Sequence, residues 1–204
     1  MRGRAHTVIG ACAAVPVALL GGHLALPVCL AAGALGGLLP DLDHPGSTLG
    51  RYVPWPAVER QGRSGFVAHG RRWFHGHTVW HRGETHSVGA AGIAATVGGA
   101  AAWEGWRALG GWSTGQHLFL IAHVGAFAVG GLVAGAIAAG YLSHLAADTA
   151  NPSPQMLLWP FSRRMVRPPW RGVREASTAG HLAEWAAATA AVAGAVVMWG
   201  GRAM

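Results

Sequence analysis

The chain is 204 residues long, 51% hydrophobic and only 11% charged, less than half the charge share of a soluble domain, which argues against an ordinary water-soluble globule and points to a membrane. Lysine is absent, and 15 arginines against 8 acids leave a formal charge of +7. Those arginines lie in loops between apolar runs with no basic helix and interleaved aromatics, so nucleic acid is excluded as a partner and orientation in a lipid bilayer is the better use for them. The length fits one domain, 1–204, and the abundance of alanine and glycine favours closely approaching helices.

In chain order, residues 1 to 22 have the positive start and short apolar stretch of a secretory signal, but apolar sequence resumes at 24 and runs straight into LPDLDHP without a small-residue cleavage site. We read 1–22 as a first helix, bent at Pro16, and about 25–39 as a second that returns across Gly21, Gly22 and His23. Both are short against the roughly 20 residues of a full span. Cys12 and Cys29 lie in apolar runs without C-x-x-C spacing, as small packing residues do. Residues 45 to 80 form a polar loop rich in Pro, Gly, Arg, Trp and His. A third helix is expected from about 87 to 108, then an apolar run from 116 to 149 that would reach roughly 50 Å as one helix and is either one long helix or two. NPSPQ stops it, a second polar loop covers 150 to 177, and a last helix occupies about 178–200. The fold expected is all-α: an integral membrane helical bundle of about five helices with two polar cytoplasmic loops.

The unusual polar residues fall at helix ends. His6 opens the first helix; Asp41, Asp43 and His44 close the second; His81 and His86 open the third; His144 and Asp148 close the fourth; Glu184 lies in the first turns of the fifth. If 116–149 crosses once, alternation of direction brings all of these to one face. Thirteen of the arginines collect on the same face, leaving Arg107 and Arg202 opposite. By the positive-inside rule that face is cytoplasmic, in a multi-pass protein of the cell's inner membrane.

Each cluster has a chemical reason for its spacing. His144 and Asp148 are four apart and share one helical face, as two ligands of one metal do; alternatively they form a hydrogen-bonded pair at a helix end. In LPDLDHP the prolines disfavour helix at Leu39 and His44, so the segment is expected to be extended, aiming Asp41 and Asp43 the same way with His44 beside them. Two carboxylates held together call for a cation; an Asp- and Pro-rich turn is the plainer alternative. In HRGETHS, Gly83 allows a turn, Thr85 is expected to cap the third helix, and His81 and His86 supply imidazoles. Arg82 and the helix N-terminus would steady an anionic oxygen. His69, His75 and His77 read as exposed loop residues, and the ten tryptophans suit an interfacial belt.

The ordered set of an N-terminal His, LPDLDHPGSTLG, HRGETHS, GYLSHLAADT followed by NP, LLWP and a late Glu resembles the YdjM-like family of inner-membrane-bound, metal-dependent hydrolases, whose bacterial members include LexA-regulated proteins. The resemblance covers nearly the whole chain. It implies a helical membrane protein with a metal site at His6, Asp41, Asp43, His44, His81, His86, His144, Asp148 and Glu184. The apolar stretch before GYLSH is longer than the family pattern, and the 60–80 loop carries extra His and Arg.

So many candidate donors could fill two metal sites, and imidazole with carboxylate but no thiolate suits Zn, with Mn or Fe(II) as alternatives. We therefore expect a binuclear hydrolase of a phosphoester, such as a lipid headgroup, in which His81 or an unliganded carboxylate handles the proton and Arg82 steadies the oxyanion. The membrane lipid is the expected partner. A divalent-metal transporter and a protein with a purely structural metal and a binding role are the rivals.

Overall fold

The computed structural model describes residues 3–22, 25–44, 47–52, 83–113, 119–150, 154–167 and 178–200, with the backbone alone for Asp43, for 110–113 and 119–124, and for 178–181, 183 and 184. The described elements are helical: α1 (Gly3–Ala13), α2 (Val15–Gly21), α3 (Leu26–Leu38), a 3-10 helix (Leu39–Asp43), α4 (Val88–Ser113), α5 (Phe119–Asp148) and α6 (Thr178–Gly200), plus a single 3-10 turn at Gly50–Tyr52.

The first expected helix is broken at Ala14, two residues before Pro16, which enters the first turn of α2 where its missing N–H costs nothing. Ala14 bonds back to Ala11 rather than to the residue four before it, and the ladder restarts at Ala18. Gly22, at φ 77°, then ends α2 in a conformation that favours glycine. The chain returns as α3. Taken together, Gly3–Gly21 is long and apolar enough to cross a membrane, as is Gly125–Asp148.

Residues 119 to 148 form one continuous helix of 30 residues, about 45 Å long. Four of its five glycines lie against neighbours, and the helix runs on through them. A Cβ on Gly140 would overlap the Gly33 carbonyl, one on Gly36 the Ile137 carbonyl, and one on Gly10 would stand 2.5 Å from Gly33 O. Gly99 and Gly130 face each other's carbonyls in the same way across α4 and α5. Helices α1, α3 and α5 thus meet backbone to backbone, as small-residue stripes allow. The core between them is correspondingly small: Ala14, Ala18, Ala25, Cys29, Ala32, Ala136 and Ile137. Large apolar side chains point outward instead, among them Ile93, Val97, Phe127, Val196 and Val197. A water-soluble bundle would reverse this arrangement.

Two local expectations are corrected. LPDLD is a 3-10 helix, not an extended strand. Pro40 falls in its first turn, where proline is tolerated, and Leu39 is helical at φ −62°, ψ −37°. At three residues per turn, positions 41 and 43 no longer share a side. His44, before Pro45, is extended as expected, at φ −104°, ψ 112°. The cap of α4 is Ser87 rather than Thr85: Ala90 N–H donates to Ser87 Oγ at 3.1 Å. Residues 154–167 arch over the same helix end, pinned by the Gln155–Val166 backbone pair at 2.8 and 2.9 Å. Val88 N–H donates to Leu157 O and Gly89 N–H to Trp159 O, so the first amides of α4 are spent on protein carbonyls rather than on the anionic oxygen expected there.

Candidate metal centre

The ends of α1, α3, α4 and α5 bring five side chains together. His6 lies in the first turns of α1, Asp41 in the 3-10 helix after α3, His86 two residues before α4, and His144 and Asp148 in the last turns of α5. His6, His86, His144 and Asp148 are each at most 2% exposed. Buried ionisable groups are costly unless they are paired or coordinate something.

Hydrogen bonds orient the imidazoles. His144 Nδ1 lies 2.7 Å from Gly37 O; a carbonyl only accepts, so Nδ1 carries the proton and Nε2 is the nitrogen turned to the cluster. His86 Nδ1 is 3.2 Å from Thr85 Oγ1, a contact that turns its Nε2 inward as well. The Tyr141 hydroxyl donates to the Thr85 carbonyl, tying the corner that carries His86 to α5. His6 stacks on His144, ring centroids 3.7 Å apart.

The inward nitrogens face carboxylates at a regular separation. His86 Nε2 is 3.5 Å from Asp41 Oδ1 and 3.6 Å from Asp148 Oδ2. His144 Nε2 is 3.7 and 3.8 Å from the same two oxygens. On the other side of Asp148, Oδ1 is 3.5 Å from His6 Nε2. Burial by itself would raise the Asp41 carboxyl, but the His86, His144 and His6 imidazoles that face it outweigh burial and hold Asp41 well below the usual carboxylate range.

This arrangement fits a cation. His144 Nε2 and His6 Nδ1 have no hydrogen-bond partner among the described residues. A bare imidazole nitrogen turned toward two carboxylates needs a positive charge between them. Ligands about 2.0–2.1 Å from zinc in a tetrahedron stand about 3.3 Å apart, close to the 3.5–3.8 Å seen around His86 and His144. The donors form two overlapping trios, His6–His144–Asp148 and Asp41–His86–His144. With Nδ1 committed to Gly37, His144 has one nitrogen left for one ion.

Of the residues singled out by sequence, His6, Asp41, His86, His144 and Asp148 are thus brought together. His44 is exposed and belongs to neither trio. His81 and Arg82 lie outside the described residues, and Asp43 and Glu184 are described for the backbone only. Sequence reasoning missed the supporting groups: Gly37, Tyr141 and the Thr85 carbonyl. Tyr141 did carry a signal, standing three residues before His144 on one face of α5. Gly37 had none, since its part is played by a backbone oxygen.

A family model described as YdjM inner membrane protein matches residues 1–203. No curated protein and no solved structure matches the chain.

Proposed function

The chain belongs to the YdjM inner membrane protein family, and on that premise we propose that it is a membrane-bound, metal-dependent hydrolase of a phosphoester. The carrying observation is the buried set of Asp41, His86, His144 and Asp148, whose imidazole nitrogens and carboxylate oxygens alternate at 3.5–3.8 Å. These four would hold one divalent ion, zinc by donor type, with manganese or iron(II) as alternatives. Asp148 Oδ1 and His6 would begin a second site, to which Asp43 and Glu184 are the candidate further donors. Such a pair of ions supplies a water of lowered pKa and stabilises charge on the attacking and leaving oxygens.

The protein's own part is orientation and proton handling. Gly37 and Thr85 hold the rings of His144 and His86 through Nδ1, which turns Nε2 of each toward the cluster. His81 would take or return the proton, and Arg82 would steady a phosphoryl oxygen; both directly precede Gly83 at the corner that leads to His86. The arginine distribution supports a multi-pass arrangement with this end of the bundle toward the cytoplasm. A phospholipid headgroup or other amphiphilic phosphoester meets a site placed there.

One observation favours a second reading, a structural metal. Four protein donors around one ion complete a tetrahedron, and structural zinc sites are closed while catalytic ones keep a position open. A transporter is disfavoured because the donors gather at one end of the helices instead of along a path. The test is to purify the protein in mild detergent, measure bound metal by mass spectrometry, and screen phosphoesters beside His86→Ala and Asp148→Ala. We expect metal-dependent turnover that falls to background in both variants together with the metal. Metal retained with no turnover across the panel overturns the hydrolase in favour of the structural reading.

A further inference from the structure

The arch at 154–167 covers the end of α4 with its carbonyls, but its outer surface is built for something else. Leu158, Phe161, Met165 and Val166 are all exposed, Phe161 by 89%. Interleaved with them, Arg163, Arg164 and Arg167 are exposed, and among the described residues none of the three is in an ion pair. No acidic residue occurs between Pro154 and Arg174. The arch is nevertheless held in place: the Gln155–Val166 pair closes its base, Ser162 N–H donates to Leu158 O at 3.0 Å, and Leu157 packs with Ala91, Tyr141 and Leu145. A fixed loop that keeps a phenylalanine and three unpaired guanidinium groups in the open has a partner with both an apolar and an anionic part.

Its height on the molecule says which. Leu157 and Trp159 bond the first residues of α4, beside the end of the apolar stretch Gly125–Asp148. That is the level at which a spanning helix leaves the hydrocarbon and meets headgroups. We propose that the outer face of residues 158–167 is a binding surface for anionic phospholipid: Leu158, Phe161 and Met165 enter the acyl–headgroup boundary, and Arg163, Arg164 and Arg167 clasp the headgroup phosphates. Guanidinium groups suit this because each offers a fork of donors to phosphate oxygens, and their stems pack on apolar surface. Exposed aliphatic and aromatic side chains between them separate a lipid surface from a nucleic acid or an acidic peptide, for which they would be a cost in water. The surface rests on the membrane setting of the helices and not on hydrolysis at the metal centre.

The experiment is a thermal unfolding series on the full chain in uncharged detergent, adding phosphatidylglycerol or phosphatidylcholine of the same acyl chains. We expect phosphatidylglycerol to stabilise the protein selectively and the effect to weaken with salt. Arg163→Gln alone should reduce apparent affinity for it about fivefold, near the value of one basic residue at an anionic surface, and the triple Arg163, Arg164, Arg167→Gln variant should abolish the selectivity. Phe161→Ser should weaken binding as well. All four positions are exposed, so unfolding without lipid and bound metal should be unchanged. Native mass spectrometry of the unmutated protein gives a second readout, with phosphatidylglycerol retained over phosphatidylcholine. Equal effects of the two lipids, or a triple variant with undiminished selectivity, overturn the proposal. So does stabilisation by a soluble polyanion such as heparin that matches phosphatidylglycerol and ignores Phe161→Ser, which would mark a polyanion site. None of these readouts depends on turnover, so a failed hydrolase assay leaves the lipid surface standing and the reverse.

Discussion

Tyr141 is not one of the grouped donors, yet it bears on where one of them sits. Its hydroxyl holds the Thr85 carbonyl, and Thr85 in turn orients His86 through Nδ1. Groups that orient ligands typically affect metal affinity by 10- to 100-fold. Tyr141→Phe should therefore fold normally, keep every donor, and lose metal about 10-fold more readily to a chelator, as measured by competition with a coloured metal indicator. Unchanged affinity would mean that packing alone places His86. Gln155 is a different case: it is 2% exposed, and neither end of its side-chain amide has a hydrogen-bond partner among the described residues. A buried polar group left without partners costs about 1–3 kcal/mol. Gln155→Met, of similar length and apolar, should raise the unfolding temperature, and a lower one would show that the amide has a use in the folded state.

At the scale of elements, α3 depends on having no side chains where it meets its neighbours. Gly33 and Gly36 lie against α1 and α5 so closely that a methyl group would strike backbone atoms, which cannot rotate away as a side chain could. Overpacking of this kind costs typically 1–3 kcal/mol. Gly36→Ala should lower the unfolding temperature and loosen the metal too, because Asp41 follows α3 within five residues; Gly92→Ala, at a position open to space, should do neither. Much at this scale was legible in the sequence. The ends of the apolar runs located the helices to within a few residues, and the i, i+4 spacing of His144 and Asp148 placed both in one cluster. The unbroken helix from 119 to 148 was not legible, because glycine reads equally as a breaker and as a contact surface until its neighbours are known. LPDLD misled for a related reason: proline forbids a helix interior but suits a first turn, and the sequence does not say which turn has begun. Thr85 and Ser87 were equally good caps by type, and only the path of the chain made Ser87 the one whose oxygen reaches Ala90.

For the whole molecule, the donor cluster and the bundle support each other. Four helix ends converge on three imidazoles and two carboxylates that are largely shut off from water, and the core between the helices is mostly alanine, too small to hold two buried carboxylates together unaided. Under the proposed function a divalent ion neutralises the two carboxylates, and whatever binds only the folded state stabilises it. Adding a chelator should then lower the unfolding temperature, and adding zinc should restore it. The sign of the pH dependence follows from the donors. An imidazole ligates only when neutral, and protons compete for its nitrogen, so falling pH displaces the ion. Asp41, held below the usual carboxylate range, stays ionised while the histidines take up protons. The gap in unfolding temperature between metal-loaded and chelated protein should therefore narrow as pH falls, with His144→Asn showing no gap at any pH. A gap of constant size down an acid titration would mean that the ion is held by carboxylates alone. No gap at all, with no metal bound at about pH 8, would leave the imidazole nitrogens facing the carboxylates to be explained by protonation, and would remove the basis for hydrolysis.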